Sequence, residues 1–214
     1  MPRLLELCSG TGSVGAVFNF AGWDVVSVDW DPKTGADVIA DLLSWDYSVF
    51  PKGYFQHVHA SPDCTMYSRA RTKAKTPRDL DKADRLVAKC LEIIEYFGCT
   101  YTLENPSTGL LPHRPLMQPL KDAERRVTYC KYGLPYKKPT CIWTNLSTWA
   151  PRPLCCKSDA CQHFDGQRHT VQAQRGQRDG SSLKQCVLFG IPWQLVQEWV
   201  DAINESQVST LSPA

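Results

Sequence analysis

Short apolar runs and helical spacings take turns along the first two thirds of the chain. Arg3–Leu7 (Arg-Leu-Leu-Glu-Leu) predicts a short buried strand, and Val14–Ala21 has the apolar spacing of a helix that ends at Gly22. Asp24–Asp29 is a β-branched strand, with Ala36–Ala40 and Gln56–Ala60 as further short strands. Thr76-Pro77-Arg78-Asp79 reads as a helix start: Thr as cap, Pro at the first helical position, an acid three residues after the cap. That helix should run to about Phe97, with Ala83, Leu86, Cys90, Leu91, Ile94 and Phe97 on one face, and stop at Gly98. Cys99–Leu103, Val127–Cys130 and Thr140–Thr144 complete the predicted strands. Strands alternating with helices imply an α/β domain around a mostly parallel sheet. The pattern lapses from Asn145 to about Leu183, a stretch rich in Pro, Cys, His, Gln and Arg. A last amphipathic helix follows within Phe189–Ile203, and the polar residues after Asn204 read as a frayed end. The expected division is a main α/β unit over 1–144, a small irregular insert over 145–184, a closing helix over 185–204 that returns to the main unit, and a flexible tail over 205–214.

Composition narrows the classes. The chain has 214 residues, the size of one domain, and 43% of them are apolar. With 24 basic and 22 acidic residues it is neither a polycation nor a disordered acidic segment. No apolar run reaches the roughly 18 residues of a membrane span, and Glu6 interrupts what would have to be the apolar core of a signal peptide. The expectation is therefore a soluble intracellular protein without a membrane partner; a monomer is expected as well. Of the ten cysteines only Cys155, Cys156 and Cys161 cluster, which does not suit a disulfide scaffold. Charge is uneven: six Asp face one Lys between Asp24 and Asp46, whereas Arg69, Arg71, Lys73, Lys75 and Arg78 form a run without an acid. Such a run is either a solvated surface loop or a phosphate-binding one.

Two loops carry candidate chemistry. Gly10-Thr11-Gly12-Ser13-Val14-Gly15 fits G-x-G-x-x-G between a strand and a helix, where glycines let the backbone approach a ligand. Asp29 ends the next strand, 17 residues beyond Gly12, and a carboxylate there can accept both hydroxyls of a ribose. These features suit NAD or S-adenosylmethionine, or else a tight strand-to-helix turn with no ligand. Asp41 could accept from an adenine amino group, with Trp30 or Leu42 covering the ring; an ion pair or a cap is the other reading of Asp41. The second loop, His59-Ala-Ser61-Pro62-Asp63-Cys64-Thr65-Met-Tyr67-Ser68, precedes the basic run. Cys64 falls outside any apolar period. It reads as a nucleophile whose thiolate nearby cations would favour, or as one more core thiol. Glu104-Asn105-Pro106 closes the strand after it, with an acid at the carboxyl end, where it is either a working group or a surface residue.

The order of glycine loop, ribose acid, Ser-Pro-x-Cys and Glu-Asn resembles that of the cytosine-C5 DNA methyltransferase family over nearly the whole chain. Leu5-Glu-Leu7-Cys8-Ser-Gly10-Thr-Gly12 is similar to the family's cofactor loop, with Cys8 in place of an aromatic. Ser61-Pro62-Asp63-Cys64-Thr65-Met66-Tyr67-Ser68 resembles S-P-P-C-Q-x-F-S, and Glu104-Asn105 the E-N motif. Tyr132–Trp143 resembles a further family motif, with Lys138 and Thr140 where arginines are common; Cys186–Pro192 is a looser match to the closing motif, lacking its Gly-Asn.

The resemblance implies a Rossmann-like, S-adenosylmethionine-dependent methyltransferase fold acting on DNA. Cys64 would add to C6 of a flipped cytosine and Glu104 would hold N3, supported by Pro62, Asn105 and Lys138. Leu7, Cys8, Gly10, Thr11, Gly12, Ser13, Val14 and Ser61 would join Asp29, Trp30, Asp41 and Leu42 around the cofactor. Ser68, Arg69, Arg71, Lys73, Lys75 and Lys137 would meet double-stranded DNA, with Arg168 and Arg175 from the insert. It also implies a cytoplasmic protein, bacterial or viral in a host cell, or a nuclear one in a eukaryote. An RNA cytosine-C5 methyltransferase and a non-catalytic DNA-binding relative remain open alternatives.

The insert spans only about 40 residues, Asn145 to Lys184, so few side chains can read base edges and a short or relaxed target is expected. Arg168, Gln172, Gln174, Arg175 and Arg178 there either read DNA or form a solvated loop. Within it Cys155-Cys156-x4-Cys161-x-His163-x5-His169 offers thiolate and imidazole ligands. Cys155, Cys156, Cys161 and His163 could hold Zn²⁺, or the thiols are incidental.

Overall fold

The computed structural model describes residues 1–72, 74–169, 171–173 and 190–211. Its centre is a seven-stranded sheet of β1 (Arg3–Leu7), β2 (Asp24–Asp29), β3 (Val38–Ile39), β4 (His57–Ala60), β5 (Thr100–Pro106), β6 (Glu124–Thr128) and β7 (Pro139–Thr144), in the order β3-β2-β1-β4-β5-β7-β6. β7 runs antiparallel to both its neighbours, and the other pairings are parallel. The helices are α1 (Ser13–Phe20), α2 (Leu80–Phe97) and α3 (Trp193–Leu211). This is the mostly parallel, Rossmann-like α/β fold that the pattern predicts.

Period-two alternation splits the strand side chains between two apolar layers. Leu4 joins Val14, Val17 and Phe18 of α1 and Leu195, Val196 and Trp199 of α3 on one face. Leu5, Leu7, Val58 and Leu103 pack with Val87, Cys90 and Ile93 of α2 on the other. With both faces covered, β1 and β4 are buried almost throughout; after Arg3, β1 is accordingly apolar but for Glu6, whereas β4 buries His57 and His59 beside Val58 and Ala60.

Several boundaries differ from the expectation. α2 begins at Leu80, not next to Thr76. The side chain of Asp79 accepts from the Lys82 amide and caps the helix, while Thr76 accepts from the Arg71 guanidinium. β6 ends at Thr128, and Tyr129–Tyr132 forms a 3₁₀ turn closed by Gly133 at φ 92°. α3 follows Pro192 as expected, starting at Trp193, but continues to Leu211, so residues 205–211 are helical and no separate tail begins at 205. The insert also starts later than Asn145. Leu146 and Trp149 are buried in the α1–α3 layer, Trp149 Nε1 donates to Glu198 on α3, and Arg152 pairs with the same carboxylate at 2.6 Å.

Candidate active site

The chain runs outward from β1 to β3 and then returns to β4 on the other side of β1, which makes the β1/β4 boundary a topological switch point. Ligands in open α/β sheets bind at the carboxyl ends of strands flanking such a point. Both candidate loops leave from it. The glycine turn follows β1, and Ser61, the first residue of the cysteine loop, donates its amide to the carbonyl of Leu7 at 3.1 Å.

The glycine turn is held from both sides. Cys8, Gly10 and Gly12 have positive φ (55°, 53° and 65°), conformations natural for the glycines and uncommon for Cys8. The Gly10 amide donates to Asp29 Oδ2 and the Asp31 amide to Asp29 Oδ1, both at 2.9 Å, so Asp29 is fixed at the tip of β2 beside the turn. A carboxylate has about four acceptor positions, which leaves two for hydroxyls of a ligand. Trp30 next to it is 74% exposed and offers a free ring face. A buried acid, an uncovered aromatic ring and a glycine backbone at the sheet's carboxyl edge fit a nucleoside-bearing cofactor.

Some of the expected cofactor residues contribute differently. The side chains of Leu7, Val14 and Leu42 are turned into the apolar layers, so only their backbone could meet a ligand. Asp41 accepts from the Leu43 amide and closes a local turn. Gly10 and Thr11 are exposed, and Ser13 Oγ accepts from the Ile191 amide at 3.0 Å, which brings the entry to α3 onto the turn. Gly190 is packed so closely there that a Cβ would lie 2.4 Å from Ser13 Oγ.

Sequence reasoning missed Glu6. It is buried, and its two oxygens accept from the amides of Val14 and Gly15 at the start of α1, at 3.3 and 3.0 Å. Burial pushes its carboxyl up to about 7, outweighing the two amide bonds, which act downward. A single acid inside an apolar strand, two residues from a glycine turn, was the available signal.

The cysteine loop is pinned at several points. Asn105 Nδ2 donates to the carbonyl of Pro62 at 3.0 Å. Tyr67 is buried and donates to Asp84, which a two-nitrogen Arg114 fork also holds. Arg78 donates to the carbonyls of Met66 and Ser68. Cys64 itself stays partly exposed. Its thiol is pushed up to about 11, first by burial and then by the Glu104 carboxylate, with Lys138 acting the other way. The Asn105–Pro62 bond sets the Cys64 loop beside the end of β5, the strand that carries Glu104.

Glu104 sits near the end of β5, buried, one step beyond the Ala60–Leu103 pair. Its Oε1 accepts from the Tyr129 hydroxyl at 2.8 Å and from Lys138 Nζ at 3.1 Å, and Lys138 lies 4.8 Å from the centre of the Tyr129 ring. Tyr129, also unforeseen, is fully buried and its hydroxyl is held well above its usual range, chiefly by burial, so it stays a donor. Behind the pocket, Ser61 Oγ lies 2.7 Å from His59 Nε2, and His59 and His57 both approach the Thr102 hydroxyl, at 2.8 and 3.1 Å.

The basic run is divided. Arg69 and Lys75 are exposed and Ser68 partly so, but Arg71 turns back onto Thr76 and Arg78 onto the cysteine loop. Lys137 donates to the Cys155 carbonyl at 2.7 Å, and Arg168 lines a cleft of about 520 Å³ in the insert. Lys73 and Arg175 lie outside the described residues.

The expected metal ligands are corrected in part. Cys155 and Cys161 come together with Cys130 and His169. Cys156 is exposed with its sulfur 3.1 Å from Ser158 Oγ, and His163 is partly exposed with its ring near Gln162; neither joins the cluster. Cys130, in the turn after β6, escaped notice because 24 residues separate it from Cys155.

Sheet order and switch-point site define a Rossmann-like α/β protein. No protein-family model and no curated protein gives a significant match to the chain. Among solved structures, the Dnmt2 methyltransferase of S. pombe is similar, with a TM-score of 0.48 and 16% identity over 67% of this chain and 50% of that one. The chain thus spans about half the length of that protein. Among the described residues, no helix is long and apolar enough to cross a membrane.

Proposed function

We propose that this protein is an S-adenosylmethionine-dependent methyltransferase acting on C5 of cytosine in DNA. The observation that supports the reading is that the Cys64 loop, tied to Leu7 and Asn105, and the Glu104–Lys138 pair leave the same strand ends as the glycine turn and Asp29. The resemblance of the same motifs to cytosine-C5 methyltransferases points the same way and favours DNA.

The cofactor, when bound, supplies an electrophilic methyl group; the glycine turn, Asp29 and Trp30 would hold it. The chain's own residues prepare the base. C5 of cytosine is a weak nucleophile, so the Cys64 sulfur adds to C6 while N3 takes a proton. With its pKa near 11 the thiol is protonated at neutral pH, and its proton is the natural source of the one that N3 gains. Glu104 can pass it on: Oε1 is fixed by Tyr129 and Lys138, so Oε2 is the oxygen to face the ring. The addition turns C5 into an enamine-type carbon that takes up the methyl group. Water at the site takes the C5 proton as the sulfur–C6 bond breaks and Cys64 departs as the thiolate. The N3 proton then returns through Glu104 to that thiolate, so one proton is released for each methyl transferred. Fixed donors and aligned reactants lower this barrier without reorganisation.

A base in a duplex must leave the stack to reach this pocket. Arg69 and Lys75, exposed beside the cysteine loop, and the partly exposed Ser68 would contact flanking phosphates.

The test is transfer of labelled methyl from S-adenosylmethionine to duplex DNA and to transfer RNA, with the modified nucleoside identified by mass spectrometry. Label in 5-methyldeoxycytidine, lost in Cys64→Ala, is the expected result. Label only in RNA would move the substrate and keep the chemistry. Label on an exocyclic nitrogen, or equal transfer by Cys64→Ala, would remove the proposal.

A further inference from the structure

We propose that Cys130, Cys155, Cys161 and His169 bind one Zn²⁺ that fastens the insert to the hairpin carrying Tyr129 and Lys138.

The four side chains bring their sulfur and nitrogen atoms within 4.8 Å of one another. His169 Nε2 lies 3.5 Å from the Cys155 sulfur and 3.3 Å from the Cys161 sulfur. In a tetrahedral site with Zn–S near 2.3 Å and Zn–N near 2.05 Å, nitrogen and sulfur stand ~3.6 Å apart and two sulfurs ~3.8 Å. The cluster therefore needs little contraction to close on an ion. Three sulfurs cannot all pair as disulfides, and three thiols with an imidazole form a closed structural zinc set.

Binding converts three thiols to thiolates and releases three protons, leaving a net charge of −1 on the site. Two cations sit against it. Lys131 pairs with Asp159 at 2.6 Å, and Lys137 donates to the Cys155 carbonyl.

Placement suggests the role. Cys130 belongs to the turn after β6, whereas the other three ligands belong to the insert. The Cys155 amide also donates to Thr128 Oγ1, so the insert is laid across residues 128–138, the hairpin that supplies both donors to Glu104. Cys155 and His169 form part of the wall of the 520 Å³ cleft, whose other residues include Lys137, Gln167, Arg168 and Gln172. Among its described residues the insert has little apolar core of its own beyond Cys155, and a metal supplies what such a segment lacks.

Full-length protein, reduced, equilibrated with zinc and gel-filtered, should carry about one zinc per chain by elemental mass spectrometry. Cys161→Ser should lose most of it, while Cys156→Ser and His163→Ala keep it. Cobalt(II) in place of zinc should give thiolate charge-transfer and tetrahedral absorption bands in the wild type, a readout independent of any variant. Chelation should speed proteolysis within 155–173 about tenfold and leave β1 to β5 protected. Less than about half an equivalent of zinc in folded wild type, octahedral cobalt spectra, or metal loss in Cys156→Ser matching that in Cys161→Ser would each overturn the site. Unchanged proteolysis after chelation would overturn its fastening role.

Discussion

Cys64 combines a reactive position with a thiol that its surroundings keep protonated. Burial and the Glu104 carboxylate raise it to about 11, against the opposing pull of Lys138 and a local backbone hydrogen bond. Such a group reacts through a small thiolate fraction that grows about tenfold per pH unit until the pKa is reached. Alkylation of Cys64 by iodoacetamide, followed by peptide mass mapping, should therefore accelerate about tenfold per unit between pH 7 and 9. A plateau below pH 8 would mean that the basic residues around the loop outweigh the carboxylate. Cys64 and Glu104 were legible because Cys64 stands outside any apolar period in the loop after β4 and Glu104 is an acid near the carboxyl end of β5. Tyr129 and Glu6 were not, since an aromatic in the turn after β6 or an acid within β1 has no sequence mark of its partner. Glu6 depends on Gly15, where a Cβ would lie 2.5 Å from Glu6 Oε2 and 3.0 Å from Val25. Gly15→Ala should cost about 1–3 kcal/mol through overpacking, read as a lower denaturant midpoint. A neutral outcome would show that Glu6 can withdraw freely.

β4 and β5 are joined by more than their ladder. His57 and His59 are buried, line up with Thr100, Thr102 and Ser61, and stack on Phe18 and Trp199. Burial holds both imidazoles neutral, His59 down at about 3 and His57 well below its usual value. With folded pKa values below the unfolded value near 6.5, their contribution is complete above that pH and is lost as protons bind the unfolded chain. Each should cost about 2 kcal/mol by pH 5. Glu6 acts oppositely. Raised to about 7, it favours the folded state as pH falls through 7 and returns about 2 kcal/mol over the same interval. Urea midpoints from pH 7 to 5 should thus fall modestly in the wild type and about twice as steeply in Glu6→Gln. Equal slopes would remove one of the two assignments. At this scale the sequence was readable where period and punctuation agree, as at β1, β2 and Gly98. It misled where two caps competed: Thr76 and Asp79 both fit a helix start, and the choice fell to Asp79 because Arg71 engages Thr76.

Across the whole molecule, one reversal of strand order places the glycine turn, the Cys64 loop and Glu104 at a common edge. Alternating strands and helices predicted the α/β class, but strand order depends on pairings far apart in sequence, and β7's reversal leaves no local trace. The insert shows the same limit. Its cluster of Cys and His was visible, yet the fourth member, Cys130, came from the turn after β6, which also holds Tyr129. Insert and hairpin thereby meet at one cluster.

The account rests on a bond between Cys64 and a pyrimidine ring. Duplex DNA containing 5-fluorocytosine tests it, because fluorine at C5 cannot leave as a cation and the adduct persists after methyl transfer. With S-adenosylmethionine present, the wild type should form a denaturation-resistant complex whose mass maps to Cys64 and carries the added methyl, and Cys64→Ser should form none. A wild type that methylates ordinary cytosine yet leaves no adduct on the fluorinated base would contradict it.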